Sequence, residues 1–250
     1  MRVLLALLFL GWLMPSSTHA RPLVAELSSK DILIHSAFNG TQLILFGTRN
    51  DSGDIVVVVR GVPRTLYVRK KERVMGIWMN RASEKFEHVP SFYAMASSRP
   101  YEEIPKSVYF NALAIGYAQA VQSYRAHGYD MMEEEERARR ESFAHALLTL
   151  MQEQRLYAPD IGTIQFIGGG LFRTSINFPD NTPTGSYAAE IYLMRDGEII
   201  SMHTTPIYVR KTGLDAWIYN LAHQSPALYG MLAIALAALG GTLAIRLFAR

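Results

Sequence analysis

The sequence contains no cysteine. That absence excludes a disulfide framework, a thiol nucleophile, a thiolate metal site and thiol redox chemistry. Common enzyme motifs are missing as well: there is no Gly-x-Ser-x-Gly, no His-Glu-x-x-His and no phosphate loop ending in Gly-Lys-Ser/Thr. Beyond His19, the histidines stand at 35, 88, 127, 145, 203 and 223, with no two at metal-ligand spacing. Met194, Met202 and His203 flank one hairpin signal, where strand packing accounts for them better than soft-metal ligation. No two acids are marked as an acid/base pair. No catalytic residue, metal or cofactor is therefore expected, and the chain reads as a non-enzyme. A basic body is lacking too, despite a formal net charge of +3. Of the 25 basic residues, Arg2, Arg246 and Arg250 sit at the two ends, leaving 22 to face 22 acidic ones, all between Glu26 and Asp215. A neutral body offers no general surface for nucleic acid, so none is expected as a partner.

What is present begins with two apolar runs. At the N-terminus a single charge, Arg2, precedes Val3–Leu13 and then Met14-Pro15-Ser16-Ser17-Thr18-His19-Ala20. A charged start, a short apolar stretch and a small-residue exit predict a signal peptide over residues 1–20, with the mature chain starting near Arg21. Toward the C-terminus no charge falls between Gln224 and Ile245. Leu228–Ile245 would reach about 27 Å as a helix, enough for a bilayer core. A transmembrane helix is predicted over residues 226–248, with Arg246 and Arg250 on the inner side and the body exported. Before it, residues 213–225 place Leu214, Trp217, Ile218 and Leu221 on one helical face, as an interfacial helix would. Within the span Ala233, Ala237 and Gly241 recur every fourth residue. Such a stripe admits a second helix at close range, or reflects the ordinary composition of a short span.

The body is 49% hydrophobic with 11% aromatics, which fits a folded rather than a disordered chain. Residues 21–100 hold short β-branched and aromatic runs: 32–34, 42–46, 55–59, 66–68 and 75–79. Turn chemistry at Asn39-Gly40, Asn50–Asp54 and Gly61-Val62-Pro63 separates them. Residues 101–158 are helical in pattern. One helix is predicted over 106–125 and another over 132–155, the second with an apolar face of Phe143, Leu147, Leu150 and Met151. It opens on Glu133–Glu136, with i,i+4 partners Arg137, Arg139 and Arg140. Residues 159–212 return to strands, with Asp196-Gly197 as a two-residue hairpin signal. The fold class expected is mainly β: an immunoglobulin-like sandwich interrupted by a helical hairpin, with two separate β domains as the alternative.

Two local features carry candidate binding residues. Arg64, Arg69, Lys70, Lys71 and Arg73 crowd one strand end, as a face for an anionic ligand, lipid headgroups or an acidic partner would. A solvated β-turn is the other reading. At the junction from strands to helices, Phe92, Tyr93 and Arg99 lie within Val89–Pro100. They either line a pocket or plug the sandwich edge.

Gly76-Ile77-Trp78-Met79-Asn80, Pro90–Pro100 and the block Gly185-Ser186-Tyr187 to Arg195-Asp196-Gly197 resemble an alphaproteobacterial family of transmembrane proteins. The likeness covers nearly the whole mature chain, the approach at 213–221 and the single span. It implies a single-pass bacterial inner-membrane protein with its main domain in the periplasm, and carries over no catalytic residues. The family's genes neighbour permeases resembling sulfite or organosulfonate exporters, so the resemblance implies a membrane-protein partner of that kind. The function expected is a membrane-anchored periplasmic accessory or interaction protein, with a periplasmic small-anion sensor or binding module as the alternative.

Overall fold

The computed structural model describes residues 23–106, 108–122 and 133–248. The expected signal peptide, the mature start and the stretch 123–132 of the helical region lie outside the described residues.

The architecture grows from the strands. β1 (Leu23–Leu27), β3 (Thr41–Arg49), β10 (Leu171–Phe178) and β9 (Gln165–Gly168) form a four-stranded sheet in the order β1-β3-β10-β9. β2 (Asp31–Ile34), β12 (Glu198–Lys211), β11 (Gly185–Arg195), β4 (Asp54–Arg60), β7 (Tyr93–Ser97) and β8 (Gly162–Thr163) form a second, in the order β2-β12-β11-β4-β7-β8. In β1, β3 and β10 alternate residues are buried, the period-2 pattern of a sheet with one wet face. Leu45, Phe172 and Ile176 of the first sheet meet Val57, Ile191 and Ile207 of the second, so the two sheets enclose one core. Both halves of the body build this sandwich: β3 pairs with β10, and β4 with β11. β2 runs parallel to β12 and β7 parallel to β8. The chain is therefore mostly β in two packed sheets, while the immunoglobulin detail does not follow from mixed sheets of this order.

The centre of the second sheet, β4 and β7, is dry on both faces. β4 reads Ile55-Val56-Val57-Val58-Val59 with no polar alternation, a composition that demands cover on each side. Ile55, Val57 and Val59 face the sandwich core. Val56 and Val58 face a third layer made by α1 (Val108–Ala112), α2 (Tyr117–Gln122) and α3 (Glu134–Glu153). Phe110, Ile115, Val121, Leu147 and Met151 pack there against Tyr93 and Tyr192.

Several local expectations need correction. The helix predicted over 106–125 is two helices among the described residues, broken where Ala114 (φ 50°) and Gly116 (φ 130°) turn left-handed. A Cβ on Gly116 would lie 2.6 Å from the Tyr101 hydroxyl, so the close approach requires glycine as well. In α3 the buried stripe is Phe143, Ala144, Leu147 and Met151; Leu150 is 46% exposed. The i,i+4 pairs do not form as drawn: Arg137 reaches Glu134, while Arg139 and Arg140 both turn to Glu84 of a neighbouring strand at 3.6 and 3.3 Å. A half-buried carboxylate holds cations better than solvated glutamates of the same helix. Finally, the runs 66–68 and 75–79 fall on two strands much longer than the runs themselves, Met75 and Gly76 lying in the turn between them. The two strands form one long hairpin, β5 (Pro63–Val74) and β6 (Ile77–Pro90), with Met75 (φ 49°) and Gly76 (φ 87°) as its two-residue turn.

Two helices close the chain. α4 (Leu214–Gln224) ends at Ser225, and α5 (Pro226–Phe248) begins with proline at its first position, where no backbone donor is needed. Pro226–Ala244 is long and apolar enough to cross a membrane, and none of it is buried against the domain.

Candidate functional site

The β5–β6 hairpin carries the basic cluster. Arg60 pairs with Tyr93 at the end of the β4–β7 ladder, the Gly61 amide donates to Phe92, and the Ser91 amide donates to Val62 before Pro63 meets Pro90. The hairpin is thus the β4–β7 ribbon continued past the edge of the sheet. Its basal half is held down: Val68, Phe86 and Val89 are buried under the helical layer, and Glu84 takes the two arginines of α3. Beyond Val68 the ribbon runs on for about seven residues, or about 23 Å, to its turn. Arg64, Arg69, Lys70, Lys71 and Arg73 are all exposed along it. They spread over roughly 30 Å of strand rather than closing around one point. Lys70 and Arg81 approach Glu72 at 3.4 and 4.0 Å, and Arg73 Nε donates to the Gly76 carbonyl. At the tip Met75 is 99% exposed, and Ile77, Trp78 and Met79 stand out of the ribbon beside it.

Phe92, Tyr93 and Arg99 do not converge. Phe92 turns into the sandwich, stacked on Phe178 at 4.8 Å. Its neighbour Tyr93, one residue on, faces the helical layer. The Tyr93 hydroxyl donates to the Ala114 carbonyl and accepts from the Gly116 amide, both at 2.8 Å, pinning the turn between α1 and α2. Burial pushes its pKa up to about 12, with Arg60 pulling the other way. Arg99 pairs with Asp54 at 2.6 Å on the rim of a cleft of about 550 Å³. Ser98, Tyr101, Glu102, Tyr117 and Asp160 also line that cleft. Its one arginine is already matched, and two further carboxylates face in, so the cleft favours no anion.

One internal cluster has no counterpart among the sequence candidates. Arg60 forms an ion pair with Glu190, donates to the Leu113 and Ala114 carbonyls and lies 5.8 Å from the Tyr93 ring. The Tyr192 hydroxyl donates to the same carboxylate at 2.7 Å. Burial is the largest influence on the Arg60 pKa and lowers it, but Glu190, Tyr93 and Tyr192 together outweigh it and raise the value above the ordinary one. The signal for this pair was a lone Arg ending the apolar strand β4 and a lone Glu on the second face of β11, beside Tyr192 and Met194.

Ala233, Ala237 and Gly241 lie on α5, all exposed, and a Cβ added to Gly241 would meet only open space. Among the described residues no group of histidine, aspartate and glutamate is placed to hold a metal ion.

No curated protein matches this chain. Among solved structures it is similar to one described as "Structural basis of T cell specificity and activation by the bacterial superantigen toxic shock syndrome toxin-1". The identity is 6%, the match covers 76% of this chain and 99% of that one, and the TM-score is 0.26. A likeness at that score carries no argument here. The family described as "Putative transmembrane protein (Alph_Pro_TM)" matches residues 22–250, which takes in the sandwich, the helical layer, the hairpin and the apolar helix. The chain belongs to that transmembrane protein family.

Proposed function

We propose that this protein is an accessory or interaction subunit, anchored in the bacterial inner membrane by α5 with its folded domain in the periplasm, and that it works by binding rather than by chemistry. The observation that carries this reading is where the polar side chains go. Arg60, through its two terminal nitrogens, Glu190, Tyr93 and Tyr192 are matched to one another or to backbone carbonyls of the helical layer, and Arg99 is matched to Asp54. Among the described residues the distal hairpin and α5 both expose large apolar side chains that a membrane neighbour would meet. The partner class that fits is an integral membrane protein, such as a permease resembling sulfite or organosulfonate exporters. The small-anion module is the weaker reading, because the hairpin cations are spread along a ribbon and Arg99 is neutralised by Asp54.

The test is isolation of the full chain from its own membrane in mild detergent, followed by mass spectrometry. An integral membrane protein retained at fixed stoichiometry supports the reading. A chain that isolates alone, or that carries a stoichiometric small anion instead, overturns it.

A further inference from the structure

Among the described residues the end of the hairpin joins neither buried core. Its turn needs two residues at positive φ, a position for Asn-Gly or Gly-Gly, yet one of them is Met75, 99% exposed. Ile77 and Trp78 follow at 67% exposure each and Met79 at 51%. Four large apolar side chains at the tip of a two-stranded ribbon stay in water without gaining a core. Beside and behind them the charge is predominantly positive. Between Arg69 and Arg81 the basic residues are Arg69, Lys70, Lys71, Arg73 and Arg81, against the single acid Glu72. In the register Trp78 lies opposite Arg73 and Met79 opposite Glu72, so the cations begin level with the apolar residues and extend two to six residues, about 7–20 Å, behind Met75. That is the order in which a bilayer presents hydrocarbon and phosphate to an element entering from water.

The register brings this arm to the end of the sandwich from which the membrane anchor leaves. β11 pairs Ala188 with Arg60 of β4 and Gly185 with Val209 of β12. β4 therefore hands over to the hairpin, and β12 to α4 and α5, at one end of the same sheet. A chain tethered there holds its arm within reach of lipid at high local concentration.

We infer that the tip of the β5–β6 hairpin docks into the surface of an anionic phospholipid bilayer. Met75, Ile77, Trp78 and Met79 enter the boundary between headgroups and acyl chains, and Lys70, Lys71 and Arg73 lie against lipid phosphates. The domain is then attached at two points, which fixes its orientation on the membrane. The inference rests on the membrane-anchored reading but not on the existence of a protein partner.

The experiment uses the full chain with Trp12→Phe and Trp217→Phe, which leaves Trp78 as the reporter. It is reconstituted into vesicles of zwitterionic lipid with or without anionic phosphatidylglycerol, and carbonate-resistant flotation scores the anchor separately. Docking predicts a blue-shifted Trp78 emission quenched by brominated acyl chains in anionic vesicles. Lys70→Gln, Lys71→Gln and Arg73→Gln together should lower the docked-to-free ratio roughly a hundredfold, at about fivefold per cation. Their thermal unfolding should match the parent, because these side chains touch no core. Chains that float while Trp78 stays solvent-like and unquenched in anionic vesicles overturn the inference and leave the anchor standing. Quenching that appears only when a second protein is present also overturns it. Chains that fail to float overturn both.

Discussion

Replacing Tyr93 with Phe tests whether one hydroxyl ties the helical layer to the sandwich. The ring itself is fully buried between Tyr117 and Tyr157, and phenylalanine fills the same space. What is lost is the pair of 2.8 Å hydrogen bonds to Ala114 and Gly116. Ala114 keeps a second donor, Arg60, at 3.2 Å. The Gly116 amide is left buried without its partner, which costs about 1–3 kcal/mol. With the net value of the other bond the total is about 2–3 kcal/mol. For a domain of this size that corresponds to a fall of about 5–10 °C in Tm at pH 8. A second consequence separates this hydroxyl from any general loosening. Its folded pKa is pushed up to about 12, whereas an unfolded tyrosine titrates near 10. Stability from the neutral phenol is therefore complete below pH 10 and is lost as pH rises through 12, by about 3 kcal/mol. The phenylalanine variant has nothing to lose at this position. The Tm gap between parent and variant should close between pH 9 and pH 12, while contributions from the other tyrosines cancel. The assay is thermal unfolding of both full chains in the same detergent, followed by circular dichroism across that range. A Tm change below about 1 °C at pH 8, or a gap that stays constant to pH 12, refutes the reasoning.

Four further outcomes follow from the same geometry. Gly47→Ala should destabilise by about 1–3 kcal/mol, because its Cβ would lie 2.5 Å from the Val24 carbonyl oxygen and 2.6 Å from the Phe172 ring; an unchanged denaturation midpoint would contradict that packing. Arg139→Ala with Arg140→Ala strips the half-buried Glu84 of both cations, so amides of the basal hairpin, Leu66 to Phe86, should exchange faster by mass spectrometry while the β3–β10 ladder stays protected. Ala237→Leu with Gly241→Leu fills the small-residue stripe of α5; if that stripe seats another helix, crosslinking falls while insertion persists, and full retention of crosslinking makes α5 a tether. A phosphatase fused after Lys211 should be active and one fused after Arg250 inactive, and the reverse pattern would invert the proposed topology.

Composition and periodicity alone determined the mostly β character, the apolar C-terminal helix and several turns. Those properties are local: a run of apolar residues long enough for a bilayer, strict alternation in β10, and Asp196-Gly197 between two strands are each legible within a dozen residues. Even the two-sided burial at the centre of the second sheet is written in β4, whose five consecutive apolar residues leave no wet face. Only the tertiary structure decided which distant residues meet. Arg60 and Glu190 are 130 positions apart, and nothing in either neighbourhood specifies the other. Phe92 and Tyr93 are adjacent, yet the pleat sends one into the sandwich and the other under the helices, so a segment that reads as one pocket becomes two pieces of core. The hairpin shows both sides at once. Its cations and its Met-Gly-Ile-Trp-Met tip are plain in the sequence as neighbours. That they project together on an uncovered ribbon, at the end of the sheet from which the anchor leaves, depends on strand register, which is a property of pairing and not of any single segment.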